Sequence, residues 1–300
     1  LADLIRITAE GSIPLAGRLA LGKLPGDPTA IVGNNESGDK VKALDLASHD
    51  FYVELLRSAP VAHMLSEESE EVIALNADAP FDIAIDPIDG SGSIGVGAPL
   101  GALFGIFPAG DTFLRRGTEM IAAGYVSFGH SCDLVFTLGE GVVIATLDPA
   151  QGVYFIDAVD ERLKEDTSTI AYNASNLRRW SAGLQAYVED LLLGKDGPRG
   201  KTFNMRWLGA AVGDLHRILR RGGLFMYPGD TRPGYERGHL RMLYECFPMA
   251  LLIEQAGGTA TDGVARMLDQ TPDSLHAKTP LFFGSKNEMA VLTDYLTPRT

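Results

Sequence analysis

Residues 81–97, FDIAIDPIDGSGSIGVG, carry the pattern with the most specific chemistry in the chain. An apolar run that reads as a strand ends in Asp86 and Asp89, and the chain then opens into Gly90, Ser91, Gly92 and Ser93. Paired carboxylates suit hard divalent cations, which take oxygen ligands, and small residues let backbone N–H groups approach an anion such as a phosphate. The carbonyl of Ile88 stands between the two acids as a third oxygen. Other acids stand out by context: Asp45 inside a helix-spaced stretch, Glu67 and Glu68 after a short apolar run, and Glu245 beside an apolar helix. Singly, each reads as a solvated turn or as a partner for the positive end of a helix dipole. Together they offer the oxygens that magnesium needs, which number about six with waters included. Two or three such cations would neutralise a phosphate, make a nucleophile of bound water and stabilise a leaving alkoxide.

The elements that must position these groups follow from periodicity and punctuation. Residues 1–23 read as an amphipathic helix interrupted near Pro14, 26–38 as a flexible Gly/Asn-rich loop that could act as a lid, and 40–57 as a second helix. Residues 61–65 form a short strand that delivers Glu67 and Glu68. From 100 to 158 short apolar segments separated by Gly-rich turns predict consecutive strands. The charged stretch 159–169 is the candidate internal boundary, dividing a half of residues 1–160 from a half of residues 161–300. Beyond it, strands at 170–172, 224–227 and 281–283 alternate with helices at 180–193, 207–221, 248–255 and 287–296. Strand and helix alternation in both halves argues for a layered α/β or α+β protein.

Composition narrows the function classes. The 300-residue chain has a formal net charge of −13, which speaks against a nucleic-acid surface but not against an anionic substrate held through cations. Cys132 and Cys246 are far apart, with neither a disulfide nor a zinc pattern, so a reducing compartment is expected. No apolar run approaches the roughly 18–20 residues that span a bilayer. A cytoplasmic protein with no membrane or nucleic-acid partner is the expectation.

The motifs VKALDLASHD, LSEES, DPIDGS, RWLGAAVGDLHRIL, GGLFMYPGD and LRMLYECFPMA occur in the order found in class I fructose-1,6-bisphosphatases, and the chain resembles that family over nearly its whole length. DPxDGS alone marks only the wider group of metal-dependent, lithium-sensitive sugar and inositol phosphatases; the YPGD and YECFPMA blocks narrow it. The resemblance implies a layered αβαβα sugar-phosphatase fold, with two mixed sheets sandwiched between helices. It implies Mg²⁺, two or three ions per site with Mn²⁺ as an alternative, held by Glu67, Glu68, Asp86, the Ile88 carbonyl, Asp89 and Glu245. Asp45 and Glu68 would polarise the attacking water, Glu68 as general base. Gly90 and Ser91 would bind the reacting phosphate, with Arg241 near it. Asn173, Tyr227 and Arg206 would grip the distal phosphate, Arg206 reaching in from a neighbouring subunit of a homotetramer. The implied reaction is hydrolysis of the 1-phosphate of fructose 1,6-bisphosphate, in gluconeogenesis or the Calvin cycle.

Several positions depart from the family's pattern. His239 replaces a lysine that contacts sugar and distal phosphate, Trp207 and Asn176 replace tyrosines, and Gly92, Ser93 and Gly95 replace Ser, Asn and Asp. These departures keep sedoheptulose 1,7-bisphosphate in view as a second substrate. They leave inositol monophosphatase and a catalytically silent sugar-phosphate sensor as weaker alternatives. Where the family's AMP site carries a Lys-Tyr pair and an arginine, this chain has Pro80, Phe81 and Pro108, which implies weak or absent AMP inhibition. His49, His63, His130, His216 and His276 read as structural or surface residues.

Overall fold

The computed structural model describes residues 1–34 and 40–297. The chain opens with helix α1 (Ala2–Ala20), a hairpin of β1 (Ile31–Asn34) and β2 (Lys40–Lys42), and helix α2 (Ala43–Leu56). An eight-stranded sheet follows from β3 (Val61–Ser66), β4 (Ile73–Ala74), β5 (Phe81–Asp89), β6 (Leu100–Pro108), β7 (Ala122–Phe128), β8 (Cys132–Thr137), β9 (Val143–Asp148) and β10 (Val153–Ala158). Its order is β10-β9-β8-β7-β6-β5-β3-β4; β3 and β5 run parallel, and the other neighbours are antiparallel.

A five-stranded sheet, ordered β12-β11-β13-β15-β14, combines β11 (Thr169–Tyr172), β12 (Asn204–Met205), β13 (Leu224–Tyr227), β14 (Thr259–Thr261) and β15 (Leu281–Gly284). Between its strands run α3 (Ala182–Leu192), α4 (Ala211–Arg221) and α5 (Phe247–Gln255), and α6 (Lys286–Leu296) follows β15.

Three apolar clusters stack these elements into layers. Leu4, Ile5, Leu44 and Tyr52 of α1 and α2 pack on Ile83, Ile85 and Phe104 of the large sheet. Its other face, with Ala84, Leu103 and Tyr125, meets α4 (Val212, Leu215), α5 (Met249, Leu252) and the inner face of the small sheet (Phe225, Phe283). The outer face of the small sheet, with Leu224 and Met226, is covered by Tyr187 and Val188 of α3 and Leu292 of α6. Helix, sheet, helix, sheet, helix is thus the order of layers. Covering β5 on both faces explains its continuous apolar run, where a half-exposed strand would alternate. Among the described residues no helix is long and apolar enough to cross a membrane.

The structure corrects several boundaries. Helix α1 continues through Pro14, because Leu4 and Ile5 before it and Leu15 after it are buried on the core and offset the lost backbone hydrogen bond. Residues 31–34, expected in a loop, form β1, and residues 40–42 pair with them rather than starting a helix; residues 35–38 of the expected lid lie outside the described residues. Helix α2 begins only at Ala43, where the Asp45 carboxylate accepts the Lys42 N–H at 3.0 Å. Helix α4 starts at Ala211 rather than residue 207, since Gly209 takes φ +83°. Strands β4, β12 and β14 were not foreseen; two or three residues carry too little period to read.

Candidate active site

On a strand, residues an odd number apart face opposite sides, so Asp86 and Asp89 should diverge. They do not, because β5 carries a bulge between them. Asp86 pairs with Leu103 and Asp89 with Gly101, so three steps on β5 match two on β6. The extra residue turns Ile88 toward the α1/α2 side with Ile83 and Ile85, and brings Asp89 to the middle layer with Asp86. Pro87 suits this place, having no N–H to give to a ladder.

After the bulge Gly90 adopts φ +81°, and a Cβ there would lie 2.4 Å from the Ala210 Cβ, so only glycine fits. Gly101 plays a related part on β6: a Cβ would meet Val212 Cγ1 at 2.5 Å. Its absence lets the first turn of α4 close on the strand, and the Val212 N–H donates to Asp89 Oδ2 at 2.6 Å. Asp89 therefore sits at the positive end of α4. Further along α4, buried Asp214 accepts the Leu208 N–H at 2.9 Å and holds the loop that leads into the helix.

Glu245 arrives from a different direction. Residues Met242–Cys246 make a single π-helical turn ahead of α5, a widening often found at functional sites. The Arg241 N–H donates to Glu245 Oε2 at 2.6 Å, and the Arg241 guanidinium lies 2.9 Å from Glu67 and 4.0 Å from Glu245. One ligand oxygen from each of Asp86, Asp89 and Glu245 can be chosen so that all lie within 4.8 Å of one another.

These acids are nearly inaccessible to water, and burial raises their pKa values. Asp89 is pushed up to about 7, against the opposing effect of the Val212 N–H. Asp86 and Glu245 are held well above the usual carboxylate range, by burial first and then by neighbouring acids, with Arg241 opposing the rise at Glu245. Asp45, raised to about 6 by burial and further by Glu67, keeps Oδ1 buried without a hydrogen-bond partner. A group of hard oxygens that resists ionising together fits divalent cations, whose charge replaces the protons.

The acids line a cleft of about 200 Å³ together with Glu67, Gly90, Ser91, Gly92 and Arg241. Aromatic rings complete its walls: Trp207, Phe225, Tyr227 and His239. Trp207 stacks on Phe225 at 5.6 Å between ring centroids, and Phe225 on Phe283 at 4.8 Å.

The structure thus gathers Glu67, Asp86, Ile88, Asp89, Gly90, Ser91, Tyr227, His239, Arg241 and Glu245 around one space. Asp45 and Glu68 are not in its lining; Asp45 is close enough to Glu67 for the two charges to interact. Asn173 and Arg206 also stand outside it, exposed in this chain: Asn173 accepts the Ser175 N–H, and Arg206 donates to the Met205 carbonyl at 2.9 Å. Phe225, Gly209 and Ala211 were not singled out in the sequence. His49, His63, His216 and His276 each bond to a neighbouring side chain away from the cleft (Ser66, Asp82, Tyr125 and Tyr244 respectively).

Comparison with known proteins bears on the same site. Residues 21–158 match the family description "Fructose-1-6-bisphosphatase, N-terminal domain", and residues 163–297 match the corresponding C-terminal domain. A class 1 fructose-1,6-bisphosphatase of Brucella anthropi is 54% identical over 296 residues, covering 98% of this chain and 87% of that protein. One from Brucella suis is 53% identical with the same coverage. Among solved structures, the holo form of Leishmania major fructose-1,6-bisphosphatase superposes with a TM-score of 0.87 at 30% identity, over 98% of this chain and 92% of that one. The T-state of the same enzyme gives 0.83 at 29% identity, over 99% and 91%.

Proposed function

The chain belongs to the class 1 fructose-1,6-bisphosphatase family, and we propose that its cleft hydrolyses the 1-phosphate of fructose 1,6-bisphosphate to fructose 6-phosphate and inorganic phosphate. The observation that carries this reading is the convergence of Asp86, Asp89 and Glu245 within 4.8 Å in a cleft that Tyr227 and His239 also line. Such a space has an anionic, cation-seeking end and a neutral end for the sugar.

Glu67, Glu68, Asp86, the Ile88 carbonyl, Asp89 and Glu245 would hold two or three Mg²⁺, or Mn²⁺. Bound there, divalent cations supply Lewis-acid charge and ease deprotonation of water. The protein's own groups do the rest. Glu68, assisted by Asp45, takes the proton from the attacking water, whose oxygen forms the new P–O bond as the bond to the sugar oxygen breaks; the sugar alkoxide leaves and regains that proton, by way of solvent, to become the hydroxyl of the product. The backbone of Gly90 and Ser91 faces the reacting phosphate, and Arg241, already paired with Glu67, lies beside it.

The distal phosphate falls to Tyr227, His239 and Asn173, with Arg206 contributed by a second subunit of a homotetramer. Support for that last assignment is the exposure of Arg206 next to β12, an edge strand of the small sheet. We read residues 1–160 as the half that binds cations and the reacting phosphate, and residues 161–300 as the half that binds sugar and distal phosphate. One apolar cluster reaches from Leu103 to Phe225 and Phe283, which supports treating them as one catalytic unit. Two free cysteines and a net charge of −13 fit a cytoplasmic enzyme of small-molecule sugar bisphosphates, in gluconeogenesis or the Calvin cycle. The mainly aromatic distal wall also keeps sedoheptulose 1,7-bisphosphate as a second substrate. A chelator-stripped preparation is expected to release no phosphate from fructose 1,6-bisphosphate until Mg²⁺ is returned. Phosphate release that ignores both chelator and Mg²⁺ would contradict the reading.

AMP is expected to inhibit weakly or not at all. Phe81 and Pro108 are cross-strand partners at one end of β5 and β6, and the Ala109 N–H donates to the Pro80 carbonyl at 2.9 Å. None of the three side chains offers a cation to a nucleotide phosphate, and nearby Arg115 is held by Asp82 at 2.8 Å. A steady-state titration with AMP tests this, and potent inhibition at low-micromolar AMP would overturn it.

A further inference from the structure

His239 is the one wall residue whose ring stacks with two tyrosines. Its imidazole lies 6.4 Å from Tyr227, at 25° between planes, and 5.2 Å from Tyr235, at 15°. Tyr227 belongs to the cleft wall; Tyr235 does not line the cleft and comes from the loop that joins β13 to Arg241. Tyr235 is itself braced. The Arg232 guanidinium sits 3.9 Å from its ring centroid, and Asp230 grips Arg232 through contacts of 2.9, 2.9 and 2.6 Å. The loop also closes on its own backbone, Asp230 N–H donating to the Tyr235 carbonyl at 2.9 Å and Tyr235 N–H to the Arg232 carbonyl at 3.0 Å.

We propose that Tyr235 is a positioning residue for substrate binding: braced by Arg232 and Asp230, it holds the His239 ring flat against Tyr227 so that the imidazole N–H meets the distal phosphate in a fixed place. A ring stacked against a braced neighbour has less rotamer freedom to lose when a ligand binds, and preorganisation of that kind appears as affinity. Tyr235 lies outside the cleft lining, so its loss is expected to leave the chemical step intact. The inference rests on the proposed bisphosphatase reading, in which His239 faces the distal phosphate.

The test is steady-state kinetics of the Mg²⁺-loaded protein on fructose 1,6-bisphosphate with Tyr235→Ala, Tyr235→Phe, His239→Ala and the Ala/Ala double variant. Tyr235→Ala should raise KM about five- to tenfold with kcat within about twofold of the parent, the signature of lost binding rather than lost chemistry. Tyr235→Phe keeps the ring and should restore KM. In the double variant the Tyr235→Ala effect should vanish into that of His239→Ala, because the first acts only through the second. Arg232→Gln should shift KM in the same direction by a smaller factor, and serves if Tyr235→Ala unfolds. An unchanged KM in Tyr235→Ala and Arg232→Gln, effects that multiply in the double variant, or failure of Tyr235→Phe to rescue would each overturn the proposal. An inactive parent protein would instead overturn the functional reading beneath it.

Discussion

Glu68→Gln is expected to lower kcat on fructose 1,6-bisphosphate by about 10³-fold, within the roughly 10²–10⁴-fold range of general acid–base catalysis. The change keeps the shape of the side chain but removes its ability to take a proton. Of the adjacent pair, Glu68 is the proposed base. Glu67 is already engaged by Arg241 at 2.9 Å. Glu68 follows buried Ser66, whose Oγ accepts the Glu68 N–H at 3.3 Å and meets His49 Nδ1 at 2.8 Å, so its backbone is anchored at the end of β3. Steady-state kinetics at saturating Mg²⁺, with calorimetry to check that cation binding persists, measures the effect. A loss smaller than about tenfold would place the base elsewhere.

The second large effect concerns stability without cations. Burial sets Asp89 near 7 and Asp45 near 6, and holds Asp86 and Glu245 well above the usual range. Unfolded carboxyl groups titrate near about 4. Between those limits the folded chain binds more protons than the unfolded one, so its stability must fall as pH rises, by about 1.4 kcal/mol per pH unit for each extra proton. The contribution is intact below pH about 4 and is lost as pH passes through the folded-state values. Cation-free protein is therefore expected to melt at a lower temperature at pH 8 than at pH 5, by on the order of 5–10 °C for a chain of this size. Mg²⁺ should raise the midpoint much more at pH 8 than at pH 5, because it takes the place of protons that are already absent there. Scanning calorimetry at both pH values decides the matter. A midpoint that climbs from pH 5 to pH 8 without cations, or equal stabilisation by Mg²⁺ at both, would contradict the account.

The sequence made the chemistry of this site easier to read than its geometry. Asp86, Asp89 and Gly90 announced themselves by type, and the αβαβα layering followed from strand and helix alternation together with the motif resemblance. That both aspartates face the same way did not follow, because a period of two predicts that they diverge. The bulge that reconciles them is set by pairing with β6. Glu245 lay 156 residues beyond Asp89, and only the resemblance connected the two. Of the aromatic wall, Tyr227 and His239 were named from the sequence, but the stack of Trp207 and Phe225, backed by Phe283, was not legible, because these residues lie far apart in the chain and meet only around the small sheet. Local signals misled where packing outweighed them, as in the unbroken course of α1 through Pro14, and where one backbone angle decided, as at Gly209 before α4.

The central claim is that the acidic cluster and the aromatic wall act on the two ends of one sugar bisphosphate. Phosphate release from fructose 1,6-bisphosphate, sedoheptulose 1,7-bisphosphate, fructose 6-phosphate and inositol 1-phosphate, each with and without Mg²⁺, tests it most directly. The account predicts Mg²⁺-dependent release from fructose 1,6-bisphosphate and little from either monophosphate. Activity confined to inositol 1-phosphate would contradict it.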